Sequence, residues 1–114
     1  MVNKWEIYYC SLDPTVGSEQ QGTRPVLIVS TDSVNHHLPV STVLPLSSVK
    51  PGDRIYPTEI MLDTEITQLP KLSVAMVHQI RTVSHNRLVK FVGRITDPKT
   101  REAVLEACRN YLDL

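Results

Sequence analysis

The chain has 114 residues, 12 basic and 12 acidic, and 41% of it is hydrophobic. That length suits one domain with its own core, the composition is ordinary for a globular protein, and no apolar run approaches the ~20 residues a membrane-spanning helix requires. The opening MVNKWEIYYC turns polar and aromatic too early for a secretory signal, so the expectation is a cytoplasmic protein in which Cys10 and Cys108 stay reduced.

In chain order, Lys4 to Leu12 is aromatic and β-rich and predicts a first strand. The segment LDPTVGSEQQGTRPVLIVS, Leu12 to Ser30, then runs through a polar loop with Gly17, Glu19 and Gly22 into Arg24-Pro25 and an apolar run. A residue before proline is driven toward extended geometry. Arg24 is therefore expected at the mouth of a strand over Val26 to Thr31, beneath the loop. His36-His37 reads as solvated loop, and no cluster of Cys, His and acids has metal-ligand spacing. Val40 to Ser47 predicts another strand, its end demoted to an edge or bulge by Pro45.

Tyr56 to Leu62 alternates as a strand does. Ser73 to Val83 is the clearest strand, with Val74, Met76, His78 and Ile80 on one face and Ala75, Val77, Gln79 and Arg81 on the other. Leu88 to Ile95 closes the set, with Gly93 as a bend. Thr96-Asp97-Pro98 opens a helix, Asp97 as N-cap and Pro98 in the first position. It runs to about Leu112, with Ala103, Val104, Ala107, Cys108, Tyr111 and Leu112 as its apolar stripe. Short strands joined by turns and followed by one helix predict a mainly β (α+β) fold, a small twisted β-barrel with helical trim. No repeat or low-complexity segment interrupts residues 1–114, which read as a single domain.

Charge is neutral overall but uneven. Between Ile66 and Arg101 stand seven basic residues (Lys71, Arg81, Arg87, Lys90, Arg94, Lys99, Arg101) and one acid, Asp97. Such a run either attracts a polyanion or is a solvated face balanced by acids elsewhere in the fold. No Ser-His-Asp order, phosphate-cradling glycine loop or close carboxylate pair stands out. What remains is Arg24, the hydroxyl pair Ser47-Ser48 at a strand end, and the segment Gln79-Ile80-Arg81-Thr82. Each alone is an ordinary structural feature.

In combination and in order, DPTVGSEQQGTRPVLIVS, TDSVN at 31–35, TVLPLSS at 42–48, HQIRTV at 78–83 and VGRI at 92–95 resemble the MazF/PemK toxins, the mRNA interferases of bacterial toxin–antitoxin modules. The resemblance runs from about Ile7 to Leu112. It implies an SH3-like β-barrel with a C-terminal helix, a homodimer, metal-independent cleavage of single-stranded RNA without a cofactor, and silencing by a cognate antitoxin that is short, acidic and disordered until bound.

It also implies site residues. The family arginine falls on Arg24, the strand-end hydroxyl on Ser47 and the loop glutamate on Glu19. The residue before QIRT, often an aspartate proposed as base, is here His78, which reads either as a general base or as a hydrogen-bonded residue of the core. Where the family has Gly-Asp before its first strand, this chain has Trp5-Glu6, a departure expected to alter a turn.

In the implied reaction the 2′-hydroxyl attacks the adjacent phosphate, giving a 2′,3′-cyclic phosphate and a 5′-hydroxyl. Arg24 would stabilise the phosphorane, because its planar fork holds two phosphate oxygens. Ser47 would donate to the same phosphate, and Glu19 would be the base or would orient Arg24. RNA contacts are expected from Gln20, Ser48, Lys50, Arg54, Gln79 and Arg81, with Tyr56 and Trp5 as stacking candidates. The loop 13–23 would form one wall and the loop 49–57 the other. A fold relative of the CcdB kind, which binds DNA gyrase without nuclease activity, is the rival reading; a barrel kept as a binding module is another.

Overall fold

The computed structural model describes residues 1–114. Seven strands form one antiparallel sheet: β1 (Glu6–Ser11), β2 (Thr23–Ile28), β3 (Val40–Ser48), β4 (Glu59–Leu62), β5 (Ser73–Met76), β6 (Arg81–Ser84) and β7 (Leu88–Arg94). Their order is β4-β5-β3-β2-β1-β7, with β6 paired to β3. Two single-turn helices, α1 (Asp32–Asn35) and α2 (Thr64–Thr67), sit in connections, and α3 (Pro98–Leu112) ends the chain. The mainly β fold with a terminal helix is as expected, and no helix is long and apolar enough to cross a membrane.

The sheet buries both faces. Leu27, Leu44 and Leu46 join Trp5, Ile7, Val77, Ile95 and Val104 in one cluster, which α3 covers. Their neighbours Val26, Ile28 and Val43 join Cys10, Leu12 and Val83 in a second. Alternation along a strand sends successive side chains to opposite faces. A central strand flanked by two cores is therefore apolar throughout, as VLI at 26–28 and VLPL at 43–46 are.

Several boundaries differ from expectation. β1 starts at Glu6, because Trp5 turns the chain with φ +75°. β2 runs from Thr23 to Ile28, so Arg24 lies inside the strand, paired with Cys10. Val29 and Ser30 leave the ladder by sharing the Thr42 carbonyl, at 3.0 and 3.4 Å. The polar stretch with His36-His37 contains α1, and His36 Nε2 bonds Asn3 Oδ1 at 2.8 Å. β4 is confined to Glu59–Leu62. Gly93 is buried in β7, where an added Cβ would meet Gln68 Cγ at 3.0 Å, and the β1–β7 register shifts beside it.

Pro45 is not at an edge. It is buried within β3, paired with Val26. The reason is an interruption on the other side of β3. The predicted strand Ser73 to Val83 is two strands separated by a 3-10 turn at Val77–Gln79. Leu46 pairs with Ala75 and Val43 with Arg81, so three steps along β3 match six along its neighbour. The surplus three residues are the turn, and Pro45 lies opposite it, where the outer ladder has no rung to lose.

At α3, the Asp97 carboxylate accepts from Thr100 N at 2.9 Å and Thr100 Oγ1 at 2.6 Å. These bonds, the hydroxyl's foremost, hold its pKa below the ordinary carboxylate value. The buried stripe is shifted from expectation. Val104 and Ala107 are buried, Leu105 and Cys108 half-buried, and Ala103, Tyr111 and Leu112 are exposed. Arg101, one turn from Val104, packs over the Trp5 ring at 5.4 Å and fixes which face turns inward. Both cysteines are free thiols; burial pushes Cys10 up, offset in part by Arg81 and Arg87.

Candidate functional site

β2 and β3 pair over only three rungs, from Ile28↔Val43 to Val26↔Pro45. Continued two residues further, that register would set Arg24 opposite Ser47. Instead Arg24 and Thr23 follow β1, while Leu46, Ser47 and Ser48 follow β5. The sheet opens between the two branches. The opening is a groove of about 350 Å³, with Tyr9, Thr23, Arg24 and Pro25 on one side, Leu46, Ser48 and Ser73 on the other, and Leu69, Pro70 and Lys71 across it.

Arg24 is half-buried, and its Nε donates to the Gln21 carbonyl at 2.8 Å. Its terminal nitrogens make no hydrogen bond or ion pair within the chain. A guanidinium tethered at Nε, with its fork free and turned to a groove, is prepared for an oxyanion. The strand supplies the tether. Gln21 stands where the loop enters β2, and Pro25 holds the backbone extended just after Arg24.

The other expected residues divide. Ser48 is exposed and lines the groove, whereas Ser47, half-buried and paired with Val74, is not among its lining residues. Glu19 does not orient Arg24. Its Oε1 accepts from Val16 N at 2.6 Å and closes the loop's own turn, leaving the side chain exposed. His78 is not in the core with Val74, Met76 and Ile80; it is exposed in the 3-10 turn, its Nδ1 bonded to Thr58 Oγ1 at 2.8 Å. The period-two reading placed it wrongly because the turn breaks the alternation just before it.

Lys50 and Arg54 are exposed on the segment before β4, outside the groove's lining. Arg54 stacks on Tyr56 at 5.1 Å, so that pair is occupied with itself. Trp5 is 6% exposed and cannot serve as a stacking platform. Gln20 and Gln79 are half-buried and bonded to each other's segments: Gln20 N donates to Gln79 Oε1 and Gln79 Nε2 donates to the Ser18 carbonyl, both at 3.2 Å. Gln20 Oε1 is buried without a hydrogen-bond partner. No group of three or more His, Cys, Asp or Glu side chains gathers as metal ligands.

The basic run is only partly available. Arg81 donates to the Leu12 carbonyl at 3.2 Å, Arg87 to those of Ser11 and Asp13, and Arg101 to that of Ile95. These three arginines each hold backbone carbonyls, whereas Lys71, Lys90, Arg94 and Lys99 of the run are exposed. Sequence reasoning missed Tyr9 and Lys71 as lining residues, Tyr9 beside Arg24 on the neighbouring strand and Lys71 across the groove. Lys71 was visible within the basic run; Tyr9, one aromatic in a β-rich segment, carried no signal that set it apart.

A guanidinium held by its Nε at a splayed sheet, its fork unpaired, defines a class of protein with one directed cation at a groove. Comparison with known proteins gives the class a family. Residues 3–112 match the PemK-like, MazF-like toxins of type II toxin–antitoxin systems, and the chain belongs to that family. A curated Endoribonuclease MazF of Staphylococcus saprophyticus is 33% identical over 102 residues, covering 90% of this chain and 84% of that protein. The crystal structure of MazF (Form-I) from Deinococcus radiodurans superposes with a TM-score of 0.82 at 19% identity, covering 99% of this chain and 97% of that one. An endoribonuclease in complex with its cognate antitoxin, from Mycobacterial species, gives 0.79 at 23%, covering 100% and 97%.

Proposed function

We propose that this chain is the toxin of a toxin–antitoxin pair and acts as a sequence-specific endoribonuclease on single-stranded RNA. The observation that carries the reading is Arg24, whose unpaired fork faces a groove in a chain of this family. The scissile phosphate sits against Arg24. The neighbouring 2′-hydroxyl is the nucleophile, so the reaction needs no metal and DNA is no substrate. Charge accumulating on the phosphorane is met by the guanidinium fork.

A serine hydroxyl donates to the same phosphate. The family resemblance assigns that role to Ser47, and the groove's lining favours Ser48; single alanine variants of each distinguish them by the larger loss of rate. The base is Glu19 or His78, each held by one hydrogen bond and exposed. If His78 is the base, His78→Ala lowers the rate strongly and changes the shape of the pH–rate profile; unchanged kinetics assign the role to Glu19. The working unit is a homodimer silenced by an acidic antitoxin segment that covers Arg24, and an antitoxin occupies the related mycobacterial complex.

The test is cleavage of a long labelled RNA of mixed sequence in EDTA, with a matched substrate carrying one 2′-deoxy position. Cleavage is expected in EDTA, blocked at the deoxy position, and lowered on the order of 10²–10³-fold by Arg24→Ala. Intact RNA after prolonged incubation with folded wild-type dimer would overturn the reading and leave the gyrase-binding alternative.

A further inference from the structure

We propose that Gln79 is a positioning residue, which clamps the β1–β2 loop at a fixed height over the groove and does not read RNA. The clamp rests on two hydrogen bonds of opposite sense. The carboxamide oxygen accepts from Gln20 N and the carboxamide nitrogen donates to the Ser18 carbonyl, each at 3.2 Å. Both sides of one planar group are thereby used on two backbone positions that flank Glu19, some sixty residues away in sequence. One of its two N–H donors and one of its two oxygen lone pairs are held by the loop, which fixes the orientation of the whole carboxamide.

The sheet is built to place it there. Were Ser73 to Ser84 one continuous strand, Gln79 would stand in the ladder beside β3. The three-residue turn lifts Val77–Gln79 out of that ladder and carries Gln79 to the loop. The same turn reaches the opposite way as well: Val77 N donates to the Thr58 carbonyl at 2.9 Å, and His78 Nδ1 meets Thr58 Oγ1 at 2.8 Å. One short turn thus pins both the segment before β4 and the loop that leads through Gln21 to Arg24. Arg81 and Arg87 grip the near end of the loop at Ser11, Leu12 and Asp13; Gly22 closes its far end by donating to Asp13 Oδ1 at 3.0 Å and accepting from Leu12 N at 2.9 Å, and Gln79 ties the Ser18–Gln20 stretch between them.

The inference rests on the endoribonuclease reading for its kinetic readout only. The experiment uses the full chain with Gln79→Met, which keeps the side chain's length and removes both bonds, and Gln79→Glu, which keeps the acceptor for Gln20 N and loses the donor. Amide hydrogen exchange at Gln20 and cleavage of the mixed-sequence RNA in EDTA are measured on each, with the unfolding midpoint as a check on folding. The expected result for Gln79→Met is an unchanged midpoint, exchange at Gln20 at least about tenfold faster, and a fall in kcat, up to the order of 10²-fold, with KM nearly constant. Gln79→Glu retains the Gln20 protection and loses less kcat. A raised KM at constant kcat, with Gln20 exchange unaltered, would overturn the proposal and make Gln79 an RNA contact. If wild-type protein cleaves no RNA, the functional reading fails, while Gln20 exchange in Gln79→Met still decides the clamp.

Discussion

At the scale of single residues, Trp5 is the most informative departure. It is 6% exposed, belongs to the larger core cluster, and holds φ +75° in a turn where relatives are expected to carry glycine. That region is costly for any side chain with a Cβ, and more so for a bulky one. Packing against the core and between Lys4 and Arg101, each 5.4 Å from the ring, offsets the strain. Trp5→Ala is therefore expected to cost about 3–5 kcal/mol, and Trp5→Gly about 1 kcal/mol less, because glycine adopts the turn without strain. Alanine usually stabilises relative to glycine, so the reversed order in urea unfolding is diagnostic; the usual order would place the turn elsewhere. The departure was legible in the sequence as Trp5-Glu6, and its strain was not, since a backbone angle leaves no trace in composition.

Asn35 makes a second point at this scale. It is 3% exposed, and its Oδ1 accepts from Ser30 Oγ at 2.5 Å and Ser41 Oγ at 2.6 Å, while Nδ2 donates to the Ser30 carbonyl at 2.9 Å and Asp32 Oδ1 at 3.2 Å. Ser41, giving its proton to Asn35, receives one from His85 Nε2 at 2.8 Å, which sets the histidine's protonated nitrogen. Asn35→Leu keeps the volume and strands buried hydroxyls. A loss of about 1–3 kcal/mol in unfolding free energy is expected; a neutral result would mean the hydroxyls find other partners.

Among elements, α3 shows a cap doing what its sequence announced. Asp97 has a folded pKa lowered from 3.8 by its bonds to Thr100. A lowered pKa contributes stability that is present above the unfolded value and is lost as pH falls through the folded one. Thermal midpoints should therefore fall as pH drops below about 4, and Asp97→Asn, which can still cap but does not titrate there, should flatten that limb. An equally steep limb in the variant would assign it to other carboxylates.

The β5–β6 interruption shows where reading by period fails. Alternation from Val74 to Ile80 fits one strand, yet a three-residue turn is an odd insertion and exchanges the faces beyond it. Val74 stands opposite Ser47, and on the same face of β3 it is Arg81 and Val83, not His78 and Ile80, that stand opposite Val43 and Ser41. The residues of this turn are valine, histidine and glutamine, none of them a breaker. Pairing with β3 and with the loop creates the turn, so only tertiary structure reveals it. The Asp97-Pro98 start, by contrast, is local chemistry and was legible at once.

For the whole molecule, the distribution of charge decides how a polyanion would be held. Three of the seven cations between Ile66 and Arg101 hold backbone carbonyls, and the groove itself offers Arg24 and Lys71. RNA binding confined to that groove would release few counterions. With about two phosphates neutralised, the logarithm of affinity should fall with the logarithm of salt at a slope of about −1.4. A slope steeper than about −4 would mean that the exposed Lys50, Arg54, Lys90 and Arg94 extend the footprint well beyond the groove.

The buried Trp5 has one more consequence. It is the only tryptophan in the chain and is absent from the groove's lining. Its fluorescence therefore follows the docking of β1 and α3 and is blind to the β1–β2 loop. An emission spectrum of each variant separates a collapsed protein from a folded one with a displaced loop, without any label, and the wild-type chain carries this gauge already.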